Sequence, residues 1–302
     1  MPEEPAPDRW SAFALDTPRV RRSFDRAAAT YDAAAVLQTQ IRESLLARLD
    51  LAALAPRIVV DAGAGTGHAS KALIRRYPKA LVIACDSSHS MLQAAGRRQS
   101  WLRRFSRLRA DASRLPLADG SVELILSNLM LQWCQPDIVF AEFRRVLAPH
   151  GLLSFTTLGP DTLRELRSAW GAVDSLTHVN RFIDMHDIGD ALVRAGFASP
   201  VLDVERHTLA YSDVRRIAAD LKQTGAHNAT LGRPRGLTGR RRFAAFEAAY
   251  EAFRQDGRLP ATYEVVFGHA WSPGSAARRP TPGGAAVSLD DFKQQLRSRR
   301  RP

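Results

Sequence analysis

The chain has 302 residues, of which 45% are hydrophobic, so it is long for one compact domain, short for two, and able to bury a sizeable core. Its net charge of +12 comes mainly from arginine, which indicates either an anionic partner (nucleic acid, acidic membrane or acidic protein) or an arginine-rich proteome. Two cysteines without CxxC spacing exclude a disulfide framework, and no apolar run is long enough to cross a bilayer, so we expect a soluble cytoplasmic protein.

The first half of the chain is predicted to alternate between helices and strands. Residues 1–18 begin with an acidic, proline-rich stretch that lacks a signal core, and we expect them to be a disordered lead. Residues 19–50 have the apolar spacing of an amphipathic helix. Strands are then predicted at 57–61, 80–86, 108–110, 122–127 and 151–157, with helices between them at about 67–77, 88–99 and 136–147.

The second half of the chain is predicted to be mainly helical. Helices are expected at 161–172, 185–195, 212–224 and 239–255, and strands at 200–210 and 262–268. We interpret the helices around 161–176 and 212–256 as a cap over the sheet edge, and the last two strands as completing the sheet. The predicted organisation is therefore a core at 19–160, cap segments and final strands at 161–272, and a flexible basic tail at 273–302.

Strands separated by helices predict an α/β, Rossmann-like fold, with a central, mostly parallel sheet flanked by helices on both faces. Right-handed crossovers place the carboxyl ends of parallel strands along one edge, which is where such sheets bind ligands. The acidic residues considered below all follow a predicted strand, so we expect their side chains to meet at that edge.

A glycine-rich turn follows the first strand, with Asp61 at the strand end and Gly63, Gly65 and Gly67 alternating after it. A nucleotide P-loop requires Gly-Lys-Ser/Thr, whereas this turn continues into His68. The dinucleotide fingerprint GxGxxG/A fits neither register of the glycines. The turn therefore favours a ligand that has a cationic amino acid end and no pyrophosphate, as S-adenosylmethionine has. The alternative is a glycine-rich turn that arose by chance.

Each following strand end offers a further cofactor contact. Asp61 is expected to help to hold an ammonium group, and Asp86 to accept both hydroxyls of a ribose, although Asp86 could instead cap the next helix. Asp111 and the adjacent Ala112 are expected beside adenine. Asn128 and Leu129 are expected where the methyl donor and its acceptor meet. This arrangement resembles that of class I methyltransferases over about residues 20–160.

Several segments resemble one family in particular, the malonyl-acyl-carrier-protein O-methyltransferases of biotin synthesis. The glycine-rich turn is shared widely among methyltransferases, and the segments after 127 are the specific ones; Ala64 stands where many members have cysteine. The resemblance covers about residues 20–272. It rests on Trp170 and on the segments 24–32, 127–134, 155–159, 162–166, 178–182, 221–226, 237–239 and 262–271.

The resemblance implies methylation of the free carboxylate of a malonyl thioester on acyl carrier protein, with S-adenosylhomocysteine as the second product and no metal. A carboxylate is already ionised at neutral pH, so no general base is required. Methyl transfer is an in-line displacement, and positioning and exclusion of water can supply most of the catalysis. We expect the cap helices to exclude the water.

The substrate site must select malonyl over acetyl, which calls for a cation or a hydroxyl at the carboxylate. Arg181 is the first candidate because arginine can bind a carboxylate with two hydrogen bonds, and Tyr31 is the second. The alternatives are a surface arginine and a tyrosine packed on the sheet edge. Gln132, Trp133 and His178 are expected to line the substrate site, although Trp133 could equally belong to the core.

The expected partner is the acyl carrier protein, whose acidity would suit an arginine-rich docking surface. The arginines at 240–242 and 144–145 are hypotheses for that surface. No membrane partner is expected.

Two other functions remain open. One is a protein-modifying relative of the mitochondrial complex I assembly factors, to which hydroxylation of an arginine is attributed. Such metal-dependent chemistry calls for a His/carboxylate triad, and His186 and Asp187 are adjacent but unsupported. The other is an RNA methyltransferase, which only the charge suggests, since no RNA-binding motif is recognisable.

Overall fold

The computed structural model describes residues 9–274 except 235 and 237. The strands are β1 (Ile58–Ala62), β2 (Leu81–Asp86), β3 (Ser106–Arg109), β4 (Val122–Ser127), β5 (Leu147–Leu158), β6 (Ala198–Tyr211) and β7 (Leu259–Trp271). The α-helices are α1 (Thr17–Ala27), α2 (Tyr31–Ala34), α3 (Val36–Arg48), α4 (His68–Arg76), α5 (His89–Arg98), α6 (Pro136–Val146), α7 (Arg164–Gly171), α8 (Met185–Arg194), α9 (Val214–Gln223) and α10 (Arg240–Glu251).

The seven strands form one sheet in the order β3-β2-β1-β4-β5-β7-β6. The first five strands of that order pair in parallel, and β7 is antiparallel to both β5 and β6. The prediction of a mostly parallel sheet completed by the last two strands is confirmed. Because β1 lies between β2 and β4, the glycine-rich turn leaves the sheet where the strand order reverses, which is the usual ligand-binding position in open α/β sheets.

The core lies on both faces of the sheet. Val59 and Val60 of β1 are fully buried, and their side chains point to opposite faces. Val59 packs in a cluster that includes Leu73 of α4, and Val60 packs in a second cluster that includes Phe140 of α6. Burial on both faces explains why β1 reads as a continuous apolar run rather than as an alternating pattern.

The predicted helix at 19–50 is divided into α1, α2 and α3. The break falls at residues 28–30, where the Thr30 hydroxyl lies within hydrogen-bonding distance of the backbone oxygens of both Ala27 and Gln223. A threonine that bonds backbone groups in this way competes with continuation of the helix. The break turns α2 toward the glycine-rich turn and so decides where Tyr31 lies.

The predicted disordered lead at 1–18 is too long, because the chain is packed from Trp10 onward. Trp10 is only 5% exposed, and its indole N–H donates to Asp137 Oδ2 at 2.8 Å. Asp16 then caps α1 by accepting a hydrogen bond from the backbone N–H of Arg19. Residues 1–8, Leu237 of the segment 237–239, and the predicted tail from residue 275 onward lie outside the described residues.

The segment after β5 is tied back to the sheet by a buried carboxylate. Glu165 of α7 is 3% exposed and accepts hydrogen bonds from the Thr262 hydroxyl at 2.5 Å and from the Thr262 backbone N–H at 3.1 Å. This places α7 against β7, and α10 packs on α7 in turn. In the described part of the chain, no helix is both long and apolar enough to span a membrane.

Candidate cofactor and substrate site

A cavity of about 530 Å³ opens at the carboxyl ends of β1, β2 and β4, below α1 and α2. This is the edge at which the sequence predicted the cofactor contacts to meet. Of the predicted site residues, those in the cavity lining are Tyr31, Gly63, Gly65, Asp86, Asp111, Ala112, Asn128, Leu129 and Trp133. Asp61, Gly67, Gln132, His178 and Arg181 are not in the lining.

The three glycines of the turn all have positive φ angles, of 76°, 53° and 82° for Gly63, Gly65 and Gly67. Such angles favour glycine. A Cβ at Gly67 would lie 2.8 Å from the Cβ of Ala95, so that glycine is needed for helix packing. A Cβ at Gly65 would meet no atom within 4 Å and would point into open space. Gly65 therefore leaves its backbone accessible from the cavity.

Asp61 lies beneath the turn and is 1% exposed. Its Oδ2 accepts a hydrogen bond from the Ser70 hydroxyl of α4 at 2.5 Å. Burial raises the pKa of the Asp61 carboxyl to about 6, and repulsion from Asp86 adds to the effect although the Ser70 hydrogen bond opposes it. A carboxylate held out of water in this way gains from a nearby cation.

Asp86 ends β2 and faces the cavity with its carboxylate already oriented. Oδ2 accepts from the Gly65 backbone N–H at 2.9 Å, and Oδ1 accepts from the Ser88 N–H at 2.8 Å. Burial raises the pKa of Asp86. The next helix is capped by Ser88 and not by Asp86, because the Ser88 hydroxyl accepts a hydrogen bond from the Met91 N–H. Each carboxylate oxygen of Asp86 accepts one backbone bond and keeps capacity for another.

The next two strand ends contribute in different ways. Asp111 is exposed, and its Oδ1 accepts from the backbone N–H and the hydroxyl of Ser113, which closes the turn around Ala112. The Asn128 amide is fixed from both sides, because it donates to the backbone oxygen of Gln38 at 3.2 Å and accepts from Thr156 at 3.0 Å. Asn128 thus links the end of β4 to α3 and β5.

Tyr31 lines the cavity at the start of α2. Burial raises the pKa of its phenol, and the negative charges of Asp86 and Asp32 raise it further, so the hydroxyl stays protonated and is a hydrogen-bond donor at neutral pH. In the described ranges, no protein group hydrogen-bonds this hydroxyl. A donor is therefore available at the cavity wall.

Asp32, the residue after Tyr31, is a contact that the sequence reasoning missed. Its Oδ1 accepts from the Thr66 hydroxyl at 2.6 Å, and its Oδ2 forms an ion pair with Arg98. His68 lies 3.3 Å from the same carboxylate. These bonds join α2 to the glycine-rich turn and to α5, so they position Tyr31. Asp32 belongs to the segment 24–32 that carries the family resemblance, but Thr66, its hydrogen-bond partner, lies 34 positions further along the chain.

Arg42 of α3 was also missed, since an arginine in an amphipathic helix is usually on the surface. Its side chain is only 14% exposed, and its ion-pair partner is Glu43 at 3.7 Å. Burial lowers the pKa of Arg42, while the charges of Glu43, Tyr31 and Asp61 oppose that change. The Arg42 guanidinium is therefore partly buried, and its charge acts on both Tyr31 and Asp61.

Both cysteines, Cys85 and Cys134, line the cavity, which the sequence did not predict. Burial raises the pKa of each thiol to about 12, and the charge of Asp86 contributes in both cases. The thiols are protonated at neutral pH, and the thiolate is the nucleophilic form of cysteine. The cavity therefore does not present an activated cysteine.

Trp133 and Gln132 occupy different environments. The Trp133 ring lines the cavity and packs edge-on against Phe24 of α1, with ring centroids 5.4 Å apart. The Gln132 amide turns back and donates to the Leu129 backbone oxygen at 2.7 Å. Trp133 thus joins α1 to the end of β4 at the cavity wall, whereas Gln132 supports the loop behind it.

The structure does not bring His178 and Arg181 to the cavity. His178 stacks on Trp170 at 3.8 Å, and its Nε2 lies 2.9 Å from Asp174 Oδ1. Arg181 is exposed between the buried residues Asn180 and Phe182. Asn180 accepts a hydrogen bond from the Ala229 N–H, which fixes the segment in this orientation. The arginine that does line the cavity is Arg21 of α1.

The described residues include no group of three or more His, Cys, Asp or Glu side chains placed to hold a metal ion. His186 Nδ1 lies 2.7 Å from Asp184 Oδ1, its partner in the cap of α8.

Comparison with known proteins agrees with this fold. A family model described as "Methyltransferase domain" matches residues 60–155. A solved structure of the YcgJ protein from Bacillus subtilis has a TM-score of 0.56 at 16% identity, and covers 76% of this chain and 98% of its own. A SAM-dependent methyltransferase from Thermotoga maritima has a TM-score of 0.50 at 16% identity, and covers 84% of this chain and 99% of its own. At this identity the two structures support the fold alone.

Curated relatives are much closer in sequence. A malonyl-[acyl-carrier protein] O-methyltransferase from Laribacter hongkongensis is 56% identical over 285 residues, which cover 91% of this chain and 96% of the relative. A protein of the same name from a Methylovorus species is 55% identical, over 90% of this chain and 94% of the relative. With this identity over nearly the whole length, the chain belongs to the malonyl-[acyl-carrier protein] O-methyltransferase family.

Proposed function

We propose that this chain transfers a methyl group from S-adenosylmethionine to the free carboxylate of a malonyl thioester on acyl carrier protein. The products are the methyl ester and S-adenosylhomocysteine, and the ester would enter the synthesis of the pimeloyl chain of biotin. The observation that carries the proposal is the family membership, at 56% identity over most of the chain. The cavity supports it, because its lining suits this cofactor.

The fit to S-adenosylmethionine rests on the strand ends. Asp86 keeps free acceptor capacity on both carboxylate oxygens and so can accept the two ribose hydroxyls. Gly65 leaves room where a side chain would project. Asp111 and Ala112 lie next along the edge, where adenine would follow the ribose. Asp61 and Arg42 are not in the lining, but their opposite charges, one of them just beneath the glycine-rich turn, would complement the ammonium and the carboxylate of the amino acid end.

The reaction requires no general base from the protein. Bound S-adenosylmethionine supplies a methyl group on a positively charged sulfur. The malonyl carboxylate is ionised at neutral pH and attacks without losing a proton; the O–C bond forms as the C–S bond breaks. Tyr31 donates its O–H to the carboxylate and orients it. Cys85 and Cys134 stay protonated and so do not compete as methyl acceptors.

Binding of the malonyl carboxylate calls for a cation or a hydroxyl beside it, and arginine is the cation that suits a carboxylate best. Arg181 remains a prediction for that role, although its exposed position between Asn180 and Phe182 would require the segment to turn inward. Arg21 is a second candidate, since it lines the cavity in the described structure. Either guanidinium could bind the carboxylate with two hydrogen bonds.

Transfer of label from methyl-labelled S-adenosylmethionine tests the proposal. Malonyl-acyl carrier protein should become labelled and acetyl-acyl carrier protein should not, because acetyl has no carboxylate to accept the methyl group. Equal labelling of the two carriers would point to methylation of the carrier polypeptide itself. No label on either carrier, with cofactor binding intact, would overturn the proposal and favour a protein or RNA substrate.

A further inference from the structure

Helix α1 presents a run of positive charge beside the cavity. One side of the helix lines the cavity, through Thr17, Val20, Arg21 and Phe24. A second side is buried against the protein, at Ser23 and Ala27. Its third face is left to solvent. The side chains of Arg21, Arg22 and Arg26 are all exposed, and within the described part of the chain none of the three forms an ion pair.

The acidic residues near α1 are engaged elsewhere. The Asp16 carboxylate forms an ion pair with Arg233 at 3.0 Å. Asp25 turns toward α5, where it accepts hydrogen bonds from the Ser88 hydroxyl at 2.6 Å and the Ser90 N–H at 3.2 Å. The charge of Asp16 also acts on Arg22, but the Asp16 ion pair is with Arg233, so the positive charge of the outer face of α1 is at most partly neutralised by its own helix.

Positive charge continues from α1 onto α9. Burial lowers the pKa of His227, and the charges of Arg19, Arg26 and Lys222 lower it further. The packing agrees, because a Cβ at Gly225, just after α9, would lie 3.2 Å from the Cβ of Ala27 in α1, and Lys222 at the end of α9 is exposed. Ile138 of α6 also lines the cavity and is 48% exposed, so the lining combines a basic residue, Arg21, with an exposed apolar one.

Other arginine clusters differ in position or in charge balance. Arg145 forms ion pairs with Glu142 at 2.7 Å and with Asp119 at 2.5 Å, and Arg242 forms one with Asp174. Arg240 and Arg241 are exposed, as the arginines of α1 are, but they lie on α10 and do not line the cavity.

Resting on the proposed function, we propose that the exposed face of α1, carrying Arg22 and Arg26, is the surface on which the acidic acyl carrier protein docks. The thioester arm of a docked carrier must enter the cavity. Arg21, which precedes Arg22 in α1, lines that cavity, so the exposed face of α1 borders it. Charge complementarity at such a rim acts mainly on the rate of association and makes binding sensitive to salt.

The test compares two matched double variants, Arg22→Glu/Arg26→Glu on α1 and Arg240→Glu/Arg241→Glu on α10. Both reverse two exposed arginines, so the change in net charge is the same. Affinity for malonyl-acyl carrier protein is measured directly at low and at moderate salt. Methyl transfer is measured with that carrier and with malonyl-pantetheine, which offers the same thioester without a protein. Thermal melting and S-adenosylmethionine binding verify that each variant is folded.

We expect the α1 variant to bind the carrier protein about tenfold more weakly, to lose most of the salt dependence, and to keep its rate with malonyl-pantetheine. The α10 variant should match the wild type. Equal losses in both variants, or a loss with malonyl-pantetheine as large as with the carrier, would overturn the docking surface. So would α1-dependent binding of RNA without any effect on the carrier. If the wild type methylates neither substrate, the proposed function fails, and the affinity measurement still decides the docking question.

Discussion

Replacing Asp61 by asparagine should stabilise the protein without cofactor and weaken its binding of cofactor. The Asp61 side chain is 1% exposed, and the Ser70 hydroxyl donates to its Oδ2 at 2.5 Å. Asparagine has the same shape and keeps an oxygen that can accept the Ser70 bond. The substitution therefore removes a buried charge and leaves the packing almost unchanged.

The magnitude follows from the pKa of the Asp61 carboxyl, which burial raises from 3.8 to about 6. Because the folded state binds the proton more tightly, stability falls as the pH rises from the unfolded pKa through the folded one. Above about pH 7 nearly the whole cost is present, and it corresponds to about 3 kcal/mol. Asparagine does not titrate, so the Asp61→Asn variant should escape this cost.

Denaturant unfolding of the wild type and the variant across about pH 5 to 8 measures the difference in the free energy of unfolding. We expect the stability advantage of Asp61→Asn to increase by roughly half or more over that range. Asp190→Asn, at an exposed position of α8, is the control for loss of a surface charge. An advantage that does not change with pH, or a less stable variant, would refute the reasoning about burial.

The affinity of Asp61→Asn for S-adenosylmethionine should fall tenfold or more, because a charged partner of the ammonium group is lost. Unchanged affinity would contradict that role of Asp61.

Five other substitutions, grouped in three tests, probe separate parts of the site. Gly65→Ala should lower the free energy of unfolding by only roughly 1–2 kcal/mol, the cost of a left-handed alanine, yet weaken cofactor binding more than tenfold. Gly67→Ala should lose more stability, because its Cβ would also meet Ala95. Thermal melting measures the stability of each variant and calorimetry its cofactor affinity, and equal stability losses would count against the cavity geometry. Tyr31→Phe should lower kcat with malonyl-acyl carrier protein about tenfold and leave cofactor affinity unchanged; an unaltered kcat would remove the hydroxyl from the mechanism. Arg181→Ala and Arg21→Ala should differ in their KM for malonyl-acyl carrier protein. Loss of the arginine that binds the carboxylate should raise this KM about tenfold or more. An unchanged KM in both variants would show that neither arginine binds the carboxylate.

The cofactor edge could be predicted because it depends on local rules. A buried parallel strand directs the residue that follows it to one edge of the sheet, so Asp86 and Asn128 could be placed from the strand ends alone. The glycine-rich turn follows the same rule, since its positive φ angles are needed wherever the chain reverses so tightly. These contacts need only the order of the strands, and the alternation of strands and helices indicated that order.

The substrate side could not be predicted in the same way, because it depends on contacts between distant segments. His178 looked available in the sequence, but stacking on Trp170 and contact with Asp174 hold it away from the cavity. Asp32 was given no role from the sequence, because its role depends on contacts with Thr66 and Arg98. Side-chain packing between segments far apart in the chain decided these positions, and periodicity carries no information about it.

The most direct test of the central claim is the identity of the methylated product. Malonyl-acyl carrier protein incubated with the enzyme and S-adenosylmethionine should gain the mass of one CH₂ group on the thioester arm, and mild base should remove the gain as methanol. That result would identify the malonyl carboxylate as the methyl acceptor. A gain located on the carrier polypeptide, or an unchanged mass from an enzyme that binds the cofactor, would contradict the claim.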